Sequence, residues 1–156
     1  MAIVLDLRNN PGGYLEVAVD IASKFLGADQ LVVSEAFGDG RYEQYHTSGY
    51  APLKDIPVAV LMNGGSASAA EILAGALRDD RGVKLIGDRS FGKGSVQELE
   101  TLPNGASLKI TVAKWVTPKG TILSDTGLEP DIKIERKPDD IEHNRDPQLE
   151  KALEIL

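Results

Sequence analysis

The chain contains no cysteine, only two histidines, and few aromatic residues, which make up 5% of its 156 positions. Without cysteine, disulfide bonds, thiolate zinc sites and cysteine nucleophiles are excluded. No apolar run reaches the ~18 residues of a membrane-spanning helix. Basic residues are outnumbered, because 17 Lys and Arg stand against 24 Asp and Glu and give a net charge of −7. A nucleic-acid binder needs a basic face, so nucleic acid is not expected as a partner.

The chain does have enough apolar sequence for a packed core. Hydrophobic residues make up 42% and charged residues 26%, both close to the averages of soluble domains. A chain of this length buries roughly two thirds of its unfolded surface on folding. It begins abruptly with an apolar strand pattern and lacks the basic segment of a signal peptide. We therefore expect one domain, or a truncated piece of a larger one.

Apolar runs and turn residues alternate in the first half of the chain, and the second half is rich in strand patterns. Strands are predicted over 3–7, 31–37, 41–46, 57–62, 83–86, 95–102, 107–116 and 131–134, and helices over 15–26, 66–77 and 148–156. This order predicts an α/β domain with a mixed sheet and flanking helices. We expect residues 1–135 to form the core, and residues 136–156 to form a charged linker and a C-terminal helix.

The turn after the predicted strand 57–62 carries two serines where a helix begins. Ser68 is predicted in the first helical turn, where free N–H groups and the positive end of the helix dipole favour a developing oxyanion. A serine nucleophile needs such a setting. The competing interpretation makes Ser66 a helix N-cap and Glu71 an electrostatic support of the first turn. The Gly-x-Ser-x-Gly elbow is not matched, because its final glycine is missing.

A serine nucleophile also needs a base. His46 and His143 lie in polar segments without a motif and are predicted surface residues. The glycine-rich segment 87–95 offers Lys93 instead. A lysine amine has an ordinary pKa of about 10.4, which burial and helix N–H dipoles must lower to about 7 before it can act as a general base. Gln97 is a neutral partner that leaves the lysine pKa low, whereas a carboxylate there would raise it.

The same segment has a second interpretation. It nearly matches the phosphate loop Gly-x4-Gly-Lys-[Ser/Thr]. Gly94 stands where the magnesium-binding hydroxyl belongs, and the residues after it lack the apolar face of the helix that a phosphate loop opens. A nucleotide site is therefore the weaker interpretation, beside that of a plain glycine turn.

Three segments in order resemble the C-terminal processing peptidases, also called tail-specific proteases. They are residues 5–13 (LDLRNNPGG), 65–72 (GSASAAEI) and 92–97 (GKGSVQ). Residues 117–120, 127–132 and 146–153 resemble later parts of the same family, so the resemblance covers nearly the whole chain. Members of this family are serine endopeptidases with a Ser/Lys dyad, on a fold like that of the crotonases and Clp proteases.

The resemblance implies a role for each candidate residue. Ser68 corresponds to the nucleophile, Lys93 to the general base and Gln97 to an assisting residue. Lys93 would take the proton from Ser68 as it attacks a peptide carbonyl, and water would hydrolyse the resulting acyl-enzyme. The implied substrate is a protein or peptide, and no cofactor or metal is expected.

The resemblance also gives the opening motif a function. It implies that the oxyanion is held by the backbone N–H of Ala69 and by one from the turn of Gly12 and Gly13. Pro11 stiffens that turn, and the glycines allow the backbone to approach a substrate closely.

Family members usually carry a protease-domain start and a PDZ domain before these motifs. We therefore expect this chain to be the downstream part of a protease domain without its PDZ domain, with weakened activity as an isolated fragment. Exposed sheet edges in such a fragment favour self-association into a homo-oligomer. The family implies a full-length parent exported to the cell envelope or periplasm. Two other functions stay open, namely an inactive scaffold or binding module and a crotonase-like acyl-CoA enzyme.

Overall fold

The computed structural model describes residues 1–124 and 126–156. Within them, eight strands form two separate sheets of four strands each. One sheet is parallel throughout and the other is antiparallel throughout. The predicted α/β class is confirmed, and the structure differs from the predicted mixed sheet in that parallel and antiparallel strands lie in two separate sheets.

The parallel sheet forms the centre of the domain. Its strands are β1 (Ile3–Asp6), β4 (Val58–Met62), β5 (Lys84–Gly87) and β8 (Ile132–Lys133), in the spatial order β1-β4-β5-β8. In β4 the side chains of Val60 and Met62 join the main core, whereas Ala59 and Leu61 belong to a second cluster. Because both faces of β4 are covered, its sequence is a continuous apolar run rather than an alternating one.

The antiparallel sheet is built from two hairpins. Its strands are β2 (Leu31–Phe37), β3 (Tyr42–His46), β6 (Ser95–Thr101) and β7 (Ser107–Val116), in the spatial order β3-β2-β7-β6. Val32 and Val33 of β2 and Trp115 of β7 contribute to the main core. The far half of the β6–β7 hairpin is exposed on both faces, so it projects from the domain.

The described part of the chain contains the helices α1 (Leu15–Phe25), α2 (Ala69–Arg81), α3 (Pro138–Glu142) and α4 (Pro147–Ile155). Of these, α1, α2 and α4 cover the two faces of the parallel sheet. Helices α1 and α2 pack on each other within the main core, and α4 buries Ala152 against the opposite face. In the described part of the chain, no helix has both the length and the apolar character needed to cross a membrane.

Two predictions differ from the observed structure by more than one or two residues at the end of an element. Helix α2 covers 69–81 rather than 66–77, because Ser66 lies in the preceding turn and Gly82 is the residue that takes the left-handed C-cap conformation, with φ 68°. Residues 136–146, predicted as a linker, contain the short helix α3. The division into a core and a C-terminal segment stays a prediction.

Candidate active site

Ser68 occupies the N-cap of helix α2 with an unusual backbone conformation. Its φ is 56° and its ψ is −122°, a region that non-glycine residues rarely adopt. Such strain persists only where surrounding contacts enforce it, and it is concentrated at functional sites. The chain therefore makes a sharp strand-to-helix turn at a serine, although its sequence does not match the Gly-x-Ser-x-Gly elbow.

The buried carboxylate of Glu71 connects the serine turn to the glycine-rich loop. Its Oε2 accepts hydrogen bonds from the backbone N–H of Ser68 (2.8 Å) and of Lys93 (3.0 Å). Its Oε1 accepts from the N–H of Gly92 (2.7 Å) and the hydroxyl of Ser90 (2.5 Å). Glu71 is only 1% exposed. Because one oxygen binds both Ser68 and Lys93, their backbone nitrogens lie no farther apart than the sum of 2.8 and 3.0 Å.

The opening turn is tied to the serine segment by backbone and hydroxyl hydrogen bonds. The Ser66 hydroxyl donates to the carbonyl of Leu7 (2.7 Å), and the N–H of Ala67 donates to the carbonyl of Asn10 (2.9 Å). These bonds satisfy the polar groups of two segments that are far apart in sequence. Ser66 is therefore a structural residue, but it is not the N-cap of the helix.

Two asparagines support this connection from its outer side. The side-chain carbonyl of Asn63 accepts from the N–H of Asn9 (2.9 Å) and from the N–H of Gly65 (2.9 Å). The side-chain amide of Asn63 donates to Oδ1 of Asn9 (3.1 Å). This pair aligns the turn after β1 with the turn after β4, so both turns meet at the carboxyl end of the parallel sheet.

Gly12 packs directly against the serine turn. A Cβ built on Gly12 would lie 2.8 Å from Cβ of Ser68 and 2.9 Å from N of Ala69, and its φ is +93°. The N–H of Gly12 donates to Oδ1 of Asn10 (2.9 Å). Gly13, the next residue, is exposed. Ala69 is the first helical residue, so its N–H has no acceptor within the helix.

Lys93 and Gln97 are both exposed. The expectation of a buried lysine amine is therefore wrong for this structure. Among the described residues, Nζ of Lys93 and Oγ of Ser68 form no hydrogen bond with each other. The reason lies in how the loop is anchored, because Glu71 binds its backbone N–H groups and leaves the lysine side chain on the surface. Gln97 lies farther along, on strand β6 opposite Thr111.

The other candidates from the sequence fall away from this site. The glycine-rich loop leads into strand β6 rather than a helix, so the phosphate-loop interpretation is wrong. The two histidines are exposed, as predicted. The imidazole of His46 lies 3.2 Å from the carboxylate of Asp29, and that of His143 lies 3.2 Å from the carboxylate of Asp139.

Arg8, which the sequence analysis did not single out, forms a polar cluster just after β1. Its guanidinium lies 2.7 Å from the carboxylate of Asp6 and 2.8 Å from that of Asp146. The hydrogen bond to Asp6 is the main cause that raises the pKa of Arg8. Partial burial acts to raise the pKa of Asp6, but the hydrogen bonds and charge of Arg8 outweigh it and lower that pKa. Both groups therefore stay charged, and the cluster fixes the residue that precedes the glycine turn.

An apolar groove lies beside the glycine turn. It has a volume of about 410 Å³ and is bounded by β1, α1 and the start of α2. Its apolar lining includes Tyr14, Val17, Ile21, Ala69, Ala70 and Leu73. The groove thus places an apolar surface next to Gly13 and Ala69.

The chain is similar in sequence to known proteases. Residues 1–134 match peptidase family S41. The chain is 47% identical over 135 residues to a probable CtpA-like serine protease of Staphylococcus haemolyticus, covering 85% of this chain and 27% of that protein. It is 41% identical over 156 residues to a carboxyl-terminal-processing protease of Picosynechococcus sp., covering 98% of this chain and 37% of that protein.

Solved structures give the same result. The photosystem II D1 C-terminal processing protease superposes with a TM-score of 0.81 at 36% identity, over 86% of this chain and 34% of that one. The chain thus spans between 27% and 37% of the length of these curated and solved relatives. The resemblance inferred from the sequence motifs is confirmed, and the chain belongs to peptidase family S41.

Proposed function

We propose that the chain is the catalytic core of a serine endopeptidase of the carboxyl-terminal processing type, with Ser68 as nucleophile and Lys93 as general base. The observation that carries this proposal is the double hydrogen bond at Oε2 of Glu71, which holds the backbones of Ser68 and Lys93 side by side. A strained serine at a helix start and a lysine on the adjoining loop are the two parts that a Ser/Lys dyad needs.

The proposed reaction is an acyl transfer in two steps. The Ser68 hydroxyl attacks a peptide carbonyl while Lys93 takes its proton, and the N–H groups of Ala69 and Gly13 donate to the oxyanion that forms. Gly13 supplies the second N–H because that of Gly12 already binds Asn10. Collapse of this intermediate transfers the proton from Lys93 to the leaving amine and yields the acyl-enzyme. Lys93 then takes a proton from a water that attacks the acyl-enzyme, and it returns this proton to the Ser68 oxygen as the bond to the acyl group breaks and the acid leaves.

The exposed Lys93 has a consequence for this mechanism. The amine must lose its water to act as a base, and a polypeptide lying across the loop and the apolar groove removes water from it. Hydrogen bonds between catalytic groups are often loose before substrate binds and tighten in the complex. Gln97, on strand β6, has the assisting role that the family resemblance implies. We therefore place the approach of Lys93 to Ser68 in the substrate complex.

The substrate class we propose is an unfolded protein or a peptide. The groove beside the glycine turn accepts an apolar side chain next to the scissile bond.

The exposed β6–β7 hairpin and the free edges of both sheets give surfaces for self-association of this chain, which size-exclusion chromatography tests. From the family resemblance we propose an exported, envelope-located parent, which fractionation of the producing cells tests.

Cleavage of unfolded casein tests the proposed function. We expect slow cleavage by the chain, abolished by Ser68→Ala and by Lys93→Met. Ser107→Ala and Lys109→Met are matched controls, because both residues are exposed on the β6–β7 hairpin away from Glu71. Activity lower than that of a full-length relative is expected because Lys93 is uncovered. No cleavage by the unsubstituted chain beyond that of Ser68→Ala would favour the inactive-scaffold function, and equal cleavage by the chain and Lys93→Met would contradict the role of Lys93.

A further inference from the structure

We propose that Asp146 and Gln148, at the start of helix α4, are positioning residues for the reaction at Ser68, because they hold Arg8 and, through it, the turn that supplies the oxyanion N–H. This inference rests on the proposed function and deepens it. The S41 family match covers residues 1–134, whereas the similarity to the Picosynechococcus protease extends over 156 residues. The proposed role gives the C-terminal segment a part in catalysis, in addition to its packing on one face of the parallel sheet.

The side chain of Arg8 binds directly to the start of α4. Nη1 of Arg8 donates to Oδ1 of Asp146 (2.9 Å) and to Oε1 of Gln148 (3.0 Å). The Arg8 side chain is 13% exposed and that of Asp146 is 21% exposed. Little water therefore competes for these groups, and charge-assisted hydrogen bonds of this kind are about twice as strong as neutral ones.

Gln148 is itself held in place by burial and by further hydrogen bonds. It is 2% exposed, and its Nε2 donates to the carbonyl of Ile134 (2.7 Å) and to Oδ2 of Asp88 (3.3 Å). Ile134 follows β8 and Asp88 follows β5, so the Gln148 amide is hydrogen-bonded to the residues that follow two other strands. Because these bonds fix the Gln148 side chain, it can hold Arg8 in one position, which a flexible side chain on the surface could not do.

The residues that follow Arg8 connect it to the proposed reacting atoms. Arg8 is followed by Asn9, which binds Asn63, and by Asn10, which binds the N–H groups of Ala67 and Gly12. A shift of Arg8 therefore moves the glycine turn relative to the serine turn. Misplacement of about 1 Å by a remote substitution costs about a hundredfold in rate when it disturbs reacting groups.

Asp146 has a second role that makes the proposal testable. Its Oδ1 also accepts from the N–H of Leu149 (3.0 Å), so it is the N-cap of α4. Asp146→Asn keeps a good N-cap but removes the charge that Arg8 binds, whereas Asp146→Glu keeps the charge but weakens the cap. The two substitutions separate the positioning role from a purely helix-stabilising one.

The experiment measures hydrolysis of an activated peptide ester by the chain. We expect Asp146→Asn to lower kcat by about ten- to hundredfold with a smaller change in KM, and Asp146→Glu to retain most of kcat. Gln148→Met should behave like Asp146→Asn. Lys151→Met, which removes an exposed ion pair with Glu154 on the same helix, is the control and should leave kcat unchanged. The reverse order of Asn and Glu variants would overturn the proposal.

Backbone hydrogen exchange gives a readout that does not depend on activity. Exchange at Gly12 and Ala67 should become faster in Asp146→Asn and Gln148→Met and stay unchanged in Lys151→Met. Unchanged exchange at both amides in both variants would overturn the proposed coupling. An unsubstituted chain that fails to react at Ser68 would defeat the proposed function instead, and the exchange comparison would still decide whether α4 holds the turn.

Discussion

Near each end of helix α2, a buried carboxylate binds a loop that is distant in sequence, but the two loops carry different residues. Near the first end, buried Glu71 binds the N–H groups of Ser68 and Lys93. Near the last end, buried Asp79 accepts from the hydroxyl of Thr117 (2.5 Å) and from the N–H of Lys119 (3.0 Å). Each carboxylate captures a loop that is distant in sequence and fastens it to the helix.

The difference between the two ends lies in what each loop carries. The loop at Glu71 brings Lys93 to a strained serine, whereas the loop at Asp79 is a turn between β7 and the residues that lead to β8. In the proposed mechanism, Glu71 therefore affects both stability and the geometry at the reacting atoms, whereas Asp79 affects stability alone. Substitutions at matched positions of the two ends test this difference.

Glu71→Gln should have the largest effect. An amide has one acceptor oxygen and a donor group where the carboxylate met four donors, so buried N–H groups lose their partners. We expect a loss of about 2–3 kcal/mol in the free energy of unfolding and a fall in the Ser68 acylation rate of about a hundredfold or more. Urea unfolding and ester hydrolysis measure the two effects. Retained acylation in a folded variant would show that Glu71 does not align the dyad.

Gly12→Ala should come next, with Gly82→Ala as its matched control. Both glycines have positive φ, but a Cβ at Gly12 would lie 2.6 Å from the carbonyl oxygen of Ala67, whereas nothing lies within 4 Å of one at Gly82. Each variant should lose about 1 kcal/mol in unfolding free energy from backbone strain. Only Gly12→Ala should also lose acylation, because its Cβ displaces the turn. An equal rate loss in both variants would contradict this assignment.

Asp79→Asn should separate stability from activity. The amide keeps one acceptor but loses the charge that Thr117, Lys119 and Arg78 bind, so we expect the unfolding free energy to fall by about 1–3 kcal/mol. The acylation rate of the folded protein should stay nearly unchanged, since this loop carries no reacting group. A rate loss as large as that of Glu71→Gln would break the comparison between the two ends of α2.

Glu35→Gln should have the smallest effect and the opposite sign. Burial on β2 raises the pKa of Glu35, and the hydroxyl of Tyr45, at 3.3 Å, only partly offsets this. With its folded pKa raised, the ionised carboxylate destabilises the fold once the pH exceeds the unfolded pKa of about 4.3. Glu35→Gln should therefore raise the melting temperature at pH 7, and this gain should disappear below about pH 4. A gain that persists at pH 3 would contradict a titration origin.

Much of the fold could be predicted from local patterns. The unbroken apolar run of β4, the glycine after α1 and the turn residues between β6 and β7 each have a local physical cause, and the elements were found where expected. The separation into two sheets could not be derived in this way, because strand pairing depends on contacts between distant segments. The extension of α2 to Arg81 was missed because its last turn is charged and lacks an apolar pattern.

The site could be predicted in its residue types but not in its connections. Ser68 and Lys93 follow from motif spacing, and their roles stay predictions. Glu71 was assigned to support of the first helical turn, because no local signal reveals that it also binds a loop about twenty residues later. Arg8 had no visible partner, since Asp146 lies at the other end of the chain. The exposure of Lys93 also depends on tertiary structure, which a sequence motif does not encode.

The most direct test of the central claim is mass-spectrometric mapping of a fluorophosphonate probe on the chain. The probe is small, so it reports on the serine and its base without the substrate surfaces of a longer protein. The account predicts modification at Ser68 and not at Ser66, with the rate strongly reduced in Lys93→Met and unchanged in Lys109→Met. Modification of Ser68 at the same rate in Lys93→Met would contradict the assignment of Lys93 as its base.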